Sequence, residues 1–135
     1  MQDGALSNSK LKILLAKPGL DGHDVGVKVL GHAMSDADFT VIYTGLRKTI
    51  EQIVEIASVK KPDLIGLSIL SGTHLVIARQ MNDAMKDINL TIPWIVGGNI
   101  PDDDVDKIVS AGATAAFPTG TTIEEVVNYC HELAK

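Results

Sequence analysis

The chain has 135 residues, of which 45% are hydrophobic, and it carries 12 basic against 17 acidic side chains. This length suits one domain that buries an ordinary core without disulfides or a structural metal, and the single cysteine, Cys130, indicates a reduced, cytoplasmic setting. The mildly acidic balance with scattered basic residues argues against nucleic acid as a partner, and no apolar run is long enough to span a membrane.

Residues 1–10 form a polar leader that lacks the basic cluster and the apolar stretch of a signal peptide, and residues 11–135 are predicted to form a single domain. Five short apolar runs follow in this domain, most of them nearly continuous, as is typical of parallel strands covered on both faces. The predicted strands are Leu11–Ala16, Phe39–Tyr43, Leu64–Ser68, Ile92–Gly97 and Ala115–Phe117.

Apolar residues at helical spacing fill each gap between the strands, beginning with Val29, Leu30, Ala33 and Met34 after the first one. Capping boxes are predicted at Thr49 with Gln52 and at Thr122 with Glu125, and Gly112 is a helix stop. Strict alternation of five strands and five helices predicts an α/β fold, a doubly wound, flavodoxin-like parallel sheet with helices on both faces. The common strand order for this count is 2-1-3-4-5.

The loop after the first strand contains the sequence Asp21-Gly22-His23-Asp24-Val25-Gly26. A histidine in such a loop lies at the carboxyl edge of the sheet, where open α/β folds bind ligands. Asp21 is close enough in sequence to hold one ring nitrogen of His23 while the other binds a ligand, which is how carboxylates orient histidine ligands to metals. The two glycines allow a large ligand to approach the backbone closely.

The loops after the third, fourth and fifth strands bring glycines and hydroxyl residues to the same edge: Gly66 to Gly72, Gly97-Gly98-Asn99 and Thr119-Gly120-Thr121-Thr122. Together they predict a slot for a flat ligand with a polar tail. Each feature also has a structural reading, since such glycines are often turn residues and Ser68 can be a satisfied buried hydroxyl. Among the other histidines, His32 and His131 are expected at the surface, and His74 is a possible contact to a ligand or partner.

Three short patterns, Asp21-x-His23-x-x-Gly26, Ser68-x-Leu70 and Gly97-Gly98, resemble the three-part signature of cobalamin-binding domains. The longer strings from Lys12 to Asp24 and from Gly66 to Gly72 resemble the cobalamin-binding small subunit or C-terminal domain of the methylmalonyl-CoA mutase family. The resemblance extends from about Leu11 to the C-terminal helix.

The resemblance implies a role for each matched position. His23 is the implied lower axial ligand to the cobalt of adenosylcobalamin, with Asp21 accepting a hydrogen bond from its other ring nitrogen and Lys17 pairing with Asp21. Val25 stands where the family often has arginine. The implied cofactor-binding residues are Gly22, His23, Asp24, Val25, Gly26, Ser68, Leu70, Gly72, Gly97, Gly98, Thr119, Gly120 and Thr121.

The same resemblance implies an isomerase that rearranges the carbon skeleton of an acyl-CoA by radical chemistry. The chain has no room for the (β/α)₈ barrel of roughly 250 residues that binds the acyl-CoA in the family. A separate large catalytic subunit and a hetero-oligomer are therefore expected, with no activity from this chain alone. Methylmalonyl-CoA/succinyl-CoA is the leading substrate pair, and 2-hydroxyisobutyryl-CoA and isobutyryl-CoA are alternatives.

Three other classes of protein share the signature or the fold. A corrinoid methyl carrier shares the signature, but such carriers usually have a helical cap domain before it, and only about ten polar residues precede the first strand here. A receiver domain shares the fold but needs acidic residues where this chain has Lys17-Pro18 and Ser68, and a flavodoxin needs a phosphate loop that is absent.

Overall fold

A computed structural model describes residues 11–18, 25–69 and 73–134. Its five strands are β1 (Lys12–Ala16), β2 (Thr40–Tyr43), β3 (Leu64–Ile69), β4 (Trp94–Gly98) and β5 (Ala115–Phe117). They pair in parallel in the order β2-β1-β3-β4-β5, which confirms the predicted fold class and strand order. Phe39 was predicted to open the second strand, but its N–H bonds the Met34 carbonyl (3.1 Å) in the turn before β2.

The helices are α1 (Val25–Asp36), α2 (Ile50–Lys60), α3 (His74–Asp87), α4 (Val105–Ser110) and α5 (Ile123–Ala134), with a short 3-10 helix (Asp102–Asp104) before α4. Both predicted capping boxes are confirmed, because Gln52 N bonds Thr49 Oγ1 and Glu125 N bonds Thr122 Oγ1, each at 3.1 Å. None of these helices is long and apolar enough to cross a membrane.

Alternate residues of the strands point to opposite faces of the sheet and build two core clusters. Ile13 and Leu15 pack with α1 and α5 on one face, whereas Leu14 and Ala16 pack with α2, α3 and α4 on the other. The predicted stripe on the first helix is wrong at Val29, which is 45% exposed. The prediction is confirmed at Met34, which is buried, and the helix also buries Val27, seven residues earlier and so on the same face.

Cys130 lies in the cluster under α1 and α5, where it is fully buried as a free thiol. Burial raises the pKa of the thiol to about 11, because the apolar surroundings disfavour the thiolate. The side chain therefore acts as a small hydrophobic core residue.

Candidate functional site

A cavity of about 280 Å³ opens at the carboxyl edge of the sheet, on the face covered by α1 and α5. Every predicted cofactor-binding residue of the described ranges lines it, with the exception of Val25. These lining residues are Gly26, Ser68, Gly97, Gly98, Thr119, Gly120 and Thr121. The structure therefore brings together residues that are up to 95 positions apart in the chain.

Glycines in two central strands make room for the cavity. Gly66 pairs with Leu15 across the sheet, and a Cβ atom at Gly66 would lie 2.9 Å from the Leu15 Cδ2 atom. Among the described residues, a Cβ atom at Gly97 would meet only the Cβ of Phe117, at 3.9 Å, which is ordinary van der Waals contact. The space beside Gly97 therefore exists because the residue lacks a side chain.

Gly98 serves a different purpose, since it closes the end of β4 against the end of β3. It has a φ of +127°, and a Cβ atom there would overlap the carbonyl oxygen of Ile69. That same oxygen accepts a hydrogen bond from Asn99 N at 3.2 Å. Only glycine fits this combination of dihedral angle and close backbone approach.

The hydroxyl groups around the cavity differ in their hydrogen bonding. Thr121 Oγ1 donates to the Pro118 carbonyl at 2.7 Å, and Thr119 Oγ1 donates to the Ile100 carbonyl at 3.4 Å. The half-buried Ser68 hydroxyl, in contrast, has no hydrogen-bond partner among the described residues. Within these ranges no hydrogen bond supports the structural reading of Ser68 as a satisfied buried hydroxyl.

Apolar side chains complete the walls, and sequence reasoning treated them only as core. Leu15, Val27, Leu30, Ile95, Phe117 and Val126 line the cavity beneath the hydroxyl groups. The signal available in the sequence was a glycine within each of two buried strands, Gly66 in β3 and Gly97 in β4. An apolar floor with a polar rim suits a flat, largely apolar group that carries polar substituents.

Most of the predicted imidazole loop lies outside the described residues, including Asp21, Gly22, His23 and Asp24. Leu70 and Gly72, which follow β3 in the sequence, lie outside them as well. Its two ends are described. Lys17 directly follows β1 at the carboxyl edge and is only 5% exposed, and Val25 begins α1 with 73% of its surface exposed. Because Gly26 lines the cavity, the loop ends beside it.

His74 lies elsewhere, at the first position of α3, whose apolar residues pack on the opposite face of the sheet. Its Nε2 atom is 2.6 Å from Asp104 Oδ2, and this hydrogen bond is the main cause that holds the pKa of Asp104 below its ordinary value. Sequence reasoning missed Asp104. The signal was topological, because the segments after β3 and β4 meet at one edge of the sheet.

Comparison with known proteins identifies relatives along almost the whole chain. A family model described as the B12 binding domain matches residues 11–128. The chain is 33% identical to the 2-hydroxyisobutanoyl-CoA mutase small subunit of Aquincola tertiaricarbonis, over 95% of either protein. It is 39% identical to the probable methylmalonyl-CoA mutase large subunit of Mycobacterium tuberculosis over 92% of this chain, which spans 17% of that relative.

Two solved structures also resemble the fold of this chain. A cobalamin-binding protein from Desulfitobacterium hafniense superposes with a TM-score of 0.77 and 25% identity, over 91% of this chain and 58% of that one. The monomethylamine corrinoid protein of Methanosarcina barkeri superposes with a TM-score of 0.75, but at 20% identity this likeness concerns the fold alone.

Proposed function

The chain belongs to the B12-binding domain family, and from this premise we propose that it is the cobalamin-binding subunit of an adenosylcobalamin-dependent acyl-CoA mutase. The observation that carries the proposal is the glycine-walled cavity at the carboxyl edge, which gathers Gly26, Ser68, Gly97 and Gly98. The relatives support a mutase, because a small subunit named for one matches the chain over nearly its full length.

The cavity fits the benzimidazole end of cobalamin. Its apolar floor suits a flat aromatic base, the missing side chain at Gly97 leaves space for that base, and the Ser68 hydroxyl lacks a partner within the described protein. In this proposal Ser68 hydrogen-bonds the base, Gly97 and Gly98 form one wall of its slot, and the segment from Thr119 to Thr121 lies near the end of the nucleotide tail. Leu70 and Gly72 belong to the same proposed set.

The proposed cobalt ligand is His23, with Asp21 and Lys17 behind it. An ionised Asp21 accepts a hydrogen bond from the second ring nitrogen, which fixes the orientation of the imidazole and makes it electron-rich. Lys17, which is buried at the end of β1, keeps Asp21 ionised. Gly22, Asp24, Val25 and Gly26 contact the cofactor around this histidine.

When bound, adenosylcobalamin supplies an organic radical by homolytic cleavage of its cobalt–carbon bond, and that radical starts the rearrangement of the acyl-CoA carbon skeleton. The residues of this chain would hold the cofactor through its benzimidazole end, in the cavity at the carboxyl edge. The acyl-CoA binds to a separate large (β/α)₈-barrel subunit, so the hetero-oligomer is active and this chain alone is inactive. The complex resides in the cytoplasm.

The relatives are named for different acyl-CoA substrates, among them methylmalonyl-CoA and 2-hydroxyisobutanoyl-CoA. We propose methylmalonyl-CoA/succinyl-CoA as the substrate pair, because that group of relatives has the higher identity, 39% against 33%. Turnover of 2-hydroxyisobutyryl-CoA or isobutyryl-CoA by the reconstituted pair of subunits, with none of methylmalonyl-CoA, would overturn the choice of substrate and leave the cofactor assignment intact.

The absorption spectrum of the purified chain with adenosylcobalamin tests the cofactor assignment. We expect the spectrum of cobalamin whose own base has left cobalt and been replaced by histidine. His23→Ala removes this spectrum, whereas His32→Ala, at an exposed position of α1, retains it. A wild-type spectrum in which the cofactor's own base stays on cobalt would contradict the proposal.

A second assay separates a mutase subunit from a corrinoid methyl carrier. The chain is mixed with a large acyl-CoA mutase subunit, and carbon-skeleton rearrangement is measured for the mixture and for each protein alone. We expect activity only from the mixture. Methylation of the bound cobalt by a methyl-donor system, with no rearrangement in any mixture, would favour the carrier.

A further inference from the structure

His74 and Asp104 form a hydrogen-bonded pair that tightly connects two segments of the carboxyl edge. His74 begins α3 and is 6% exposed, and Asp104 ends the 3-10 helix that follows β4. The distance of 2.6 Å between Nε2 and Oδ2 is that of a short, charge-assisted bond. Lys107 lies farther from the other carboxylate oxygen, at 3.4 Å, and is itself 65% exposed.

The pair does not line the cavity, but the segment that it anchors does. Residues 99–104 are held at three points: Asn99 N bonds Ile69 O (3.2 Å), Ile100 O accepts from Thr119 N (3.0 Å), and Asp104 bonds His74. The first two of these contacts involve Asn99 and Thr119, which line the cavity. The bond between Asp104 and His74 therefore restrains a segment that forms part of the cavity wall, although neither side chain lines the cavity.

The hydrogen bonding of the imidazole argues against a purely space-filling role. An ionised carboxylate can only accept, so Nε2 of His74 carries the proton in this bond. The other ring nitrogen, Nδ1, is buried and has no hydrogen-bond partner among the described residues. A buried polar atom without a partner is destabilising, and an apolar pair of similar volume would avoid this cost. What an apolar pair would lack is the directional bond to the 99–104 segment.

We propose that His74 and Asp104 are positioning residues that hold the Gly98–Asn99 and Thr119 walls in the shape that accepts the cofactor's base. The inference rests on the proposed function for the identity of the ligand. Neither side chain contacts the ligand in this proposal. They act through Asn99, Ile100 and Thr119, whose backbone hydrogen bonds connect the segment to the cavity.

Two substitutions at His74 separate the directional bond from the volume of the ring. The amide nitrogen of glutamine reaches the position of Nε2, whereas that of asparagine reaches only the position of Nδ1. We expect His74→Asn to weaken adenosylcobalamin binding about tenfold, as expected for loss of a hydrogen bond to a charged group, and His74→Gln to stay within about threefold of wild type. Asp104→Leu, which attacks the bond from the other side, should match His74→Asn.

The matched control is Asp63→Ala. Asp63 Oδ2 accepts a 2.8 Å hydrogen bond from Lys12 N beside the first residues of β1 and β3, at the amino edge of the sheet and far from the cavity. This variant also loses a carboxylate hydrogen bond, and we expect its affinity for adenosylcobalamin to equal that of wild type. Equal affinities of His74→Gln and His74→Asn would overturn the positioning role.

Amide hydrogen exchange without cofactor gives a second readout. We expect exchange at the amides of Asn99 and Thr119 to be about tenfold faster in His74→Asn and Asp104→Leu, but unchanged in His74→Gln and Asp63→Ala. Unchanged exchange in both disrupting variants would refute the inference. If wild type bound no cobalamin, the proposed function would fail, and the exchange rates would still decide whether the pair positions the wall.

Discussion

At the scale of single residues, the glycines of the site have different physical roles, and Gly98 is the one that the fold itself requires. Its φ of +127° and the overlap of a Cβ atom with Ile69 O predict that Gly98→Ala lowers the free energy of unfolding by about 2–3 kcal/mol. Urea denaturation followed by circular dichroism measures this loss as a lower midpoint at an unchanged slope.

Gly26 is the matched control for this prediction. It lies in the first turn of α1, where none of the described residues comes within 4 Å of the position that a Cβ atom would take, so Gly26→Ala should be neutral or stabilising by up to about 1 kcal/mol. Similar destabilisation in both variants would mean that strain at Gly98 is not the cause.

Asp104 makes the free energy of unfolding depend on pH in the acidic range. Because the hydrogen bond from His74 lowers the pKa of the folded carboxyl, its contribution is present above the unfolded pKa and is lost as the pH falls through the folded value. We expect the difference in unfolding free energy between wild type and Asp104→Asn to be fully present above about pH 5 and to shrink below about pH 4. Denaturant titrations at several pH values measure it. A difference that stayed constant over this range would exclude Asp104 as the titrating group.

At the scale of elements, the two capping boxes have the same chemistry but different neighbours. Thr49 caps α2, whereas Thr122 caps α5 and lines the cavity. Thr49→Ala and Thr122→Ala should each lower the free energy of unfolding by about 1 kcal/mol, because each leaves a helical N–H without its acceptor. We expect only Thr122→Ala to weaken cobalamin binding as well, which parallel denaturation and spectral titrations measure.

Serine substitutions control for the caps, since Thr49→Ser and Thr122→Ser retain the accepting oxygen. Both should keep near-wild-type stability, and Thr122→Ser should also keep the affinity for cobalamin. If Thr49→Ala weakened binding as much as Thr122→Ala, the effect would be a general consequence of lower stability, and the cavity would not depend locally on α5.

The elements and their order were predictable because each leaves a local signal in the sequence. Continuous apolar runs mark the buried strands, and Thr49 with Gln52 marks a helix start through contacts only three residues apart. The exposure of Val29 was not predictable in this way, since the buried face of α1 depends on how the helix packs on the sheet. Local propensity cannot supply that tertiary information.

The residues of the site were likewise predictable only in part. Ser68, Gly97 and Gly98 could be chosen from sequence because strand ends at one sheet edge must meet, and the cavity bears out their proximity. The bond between His74 and Asp104 joins residues 30 positions apart whose side-chain directions no periodicity reveals. The role of His23 as cobalt ligand remains a prediction, since it lies outside the described residues.

At the scale of the whole molecule, the two faces of the sheet differ in how completely they are packed. The larger core cluster lies beneath α2, α3 and α4, while the face under α1 and α5 leaves an apolar cavity open at its carboxyl edge. An open apolar cavity forgoes packing contacts that a filled core would make. Binding of a ligand there recovers those contacts, so ligand affinity and global stability are linked.

This linkage leads to a test of the cavity as a whole with Gly97→Val. Within the part of the chain that the structure describes, a Cβ atom at Gly97 would meet only Phe117, at 3.9 Å, so valine should fit β4 and leave the unfolding free energy without ligand within about 1 kcal/mol of wild type. Adenosylcobalamin at about 100 times its dissociation constant should raise the wild-type value by about 2.7 kcal/mol, because it binds only the folded state. Gly97→Val should lose most of that increase, since its side chain occupies the space of the base.

Val59→Ala, at an exposed position of α2, should retain the increase. If cobalamin stabilised Gly97→Val as much as wild type, in thermal and urea denaturation alike, the base would bind elsewhere on the protein.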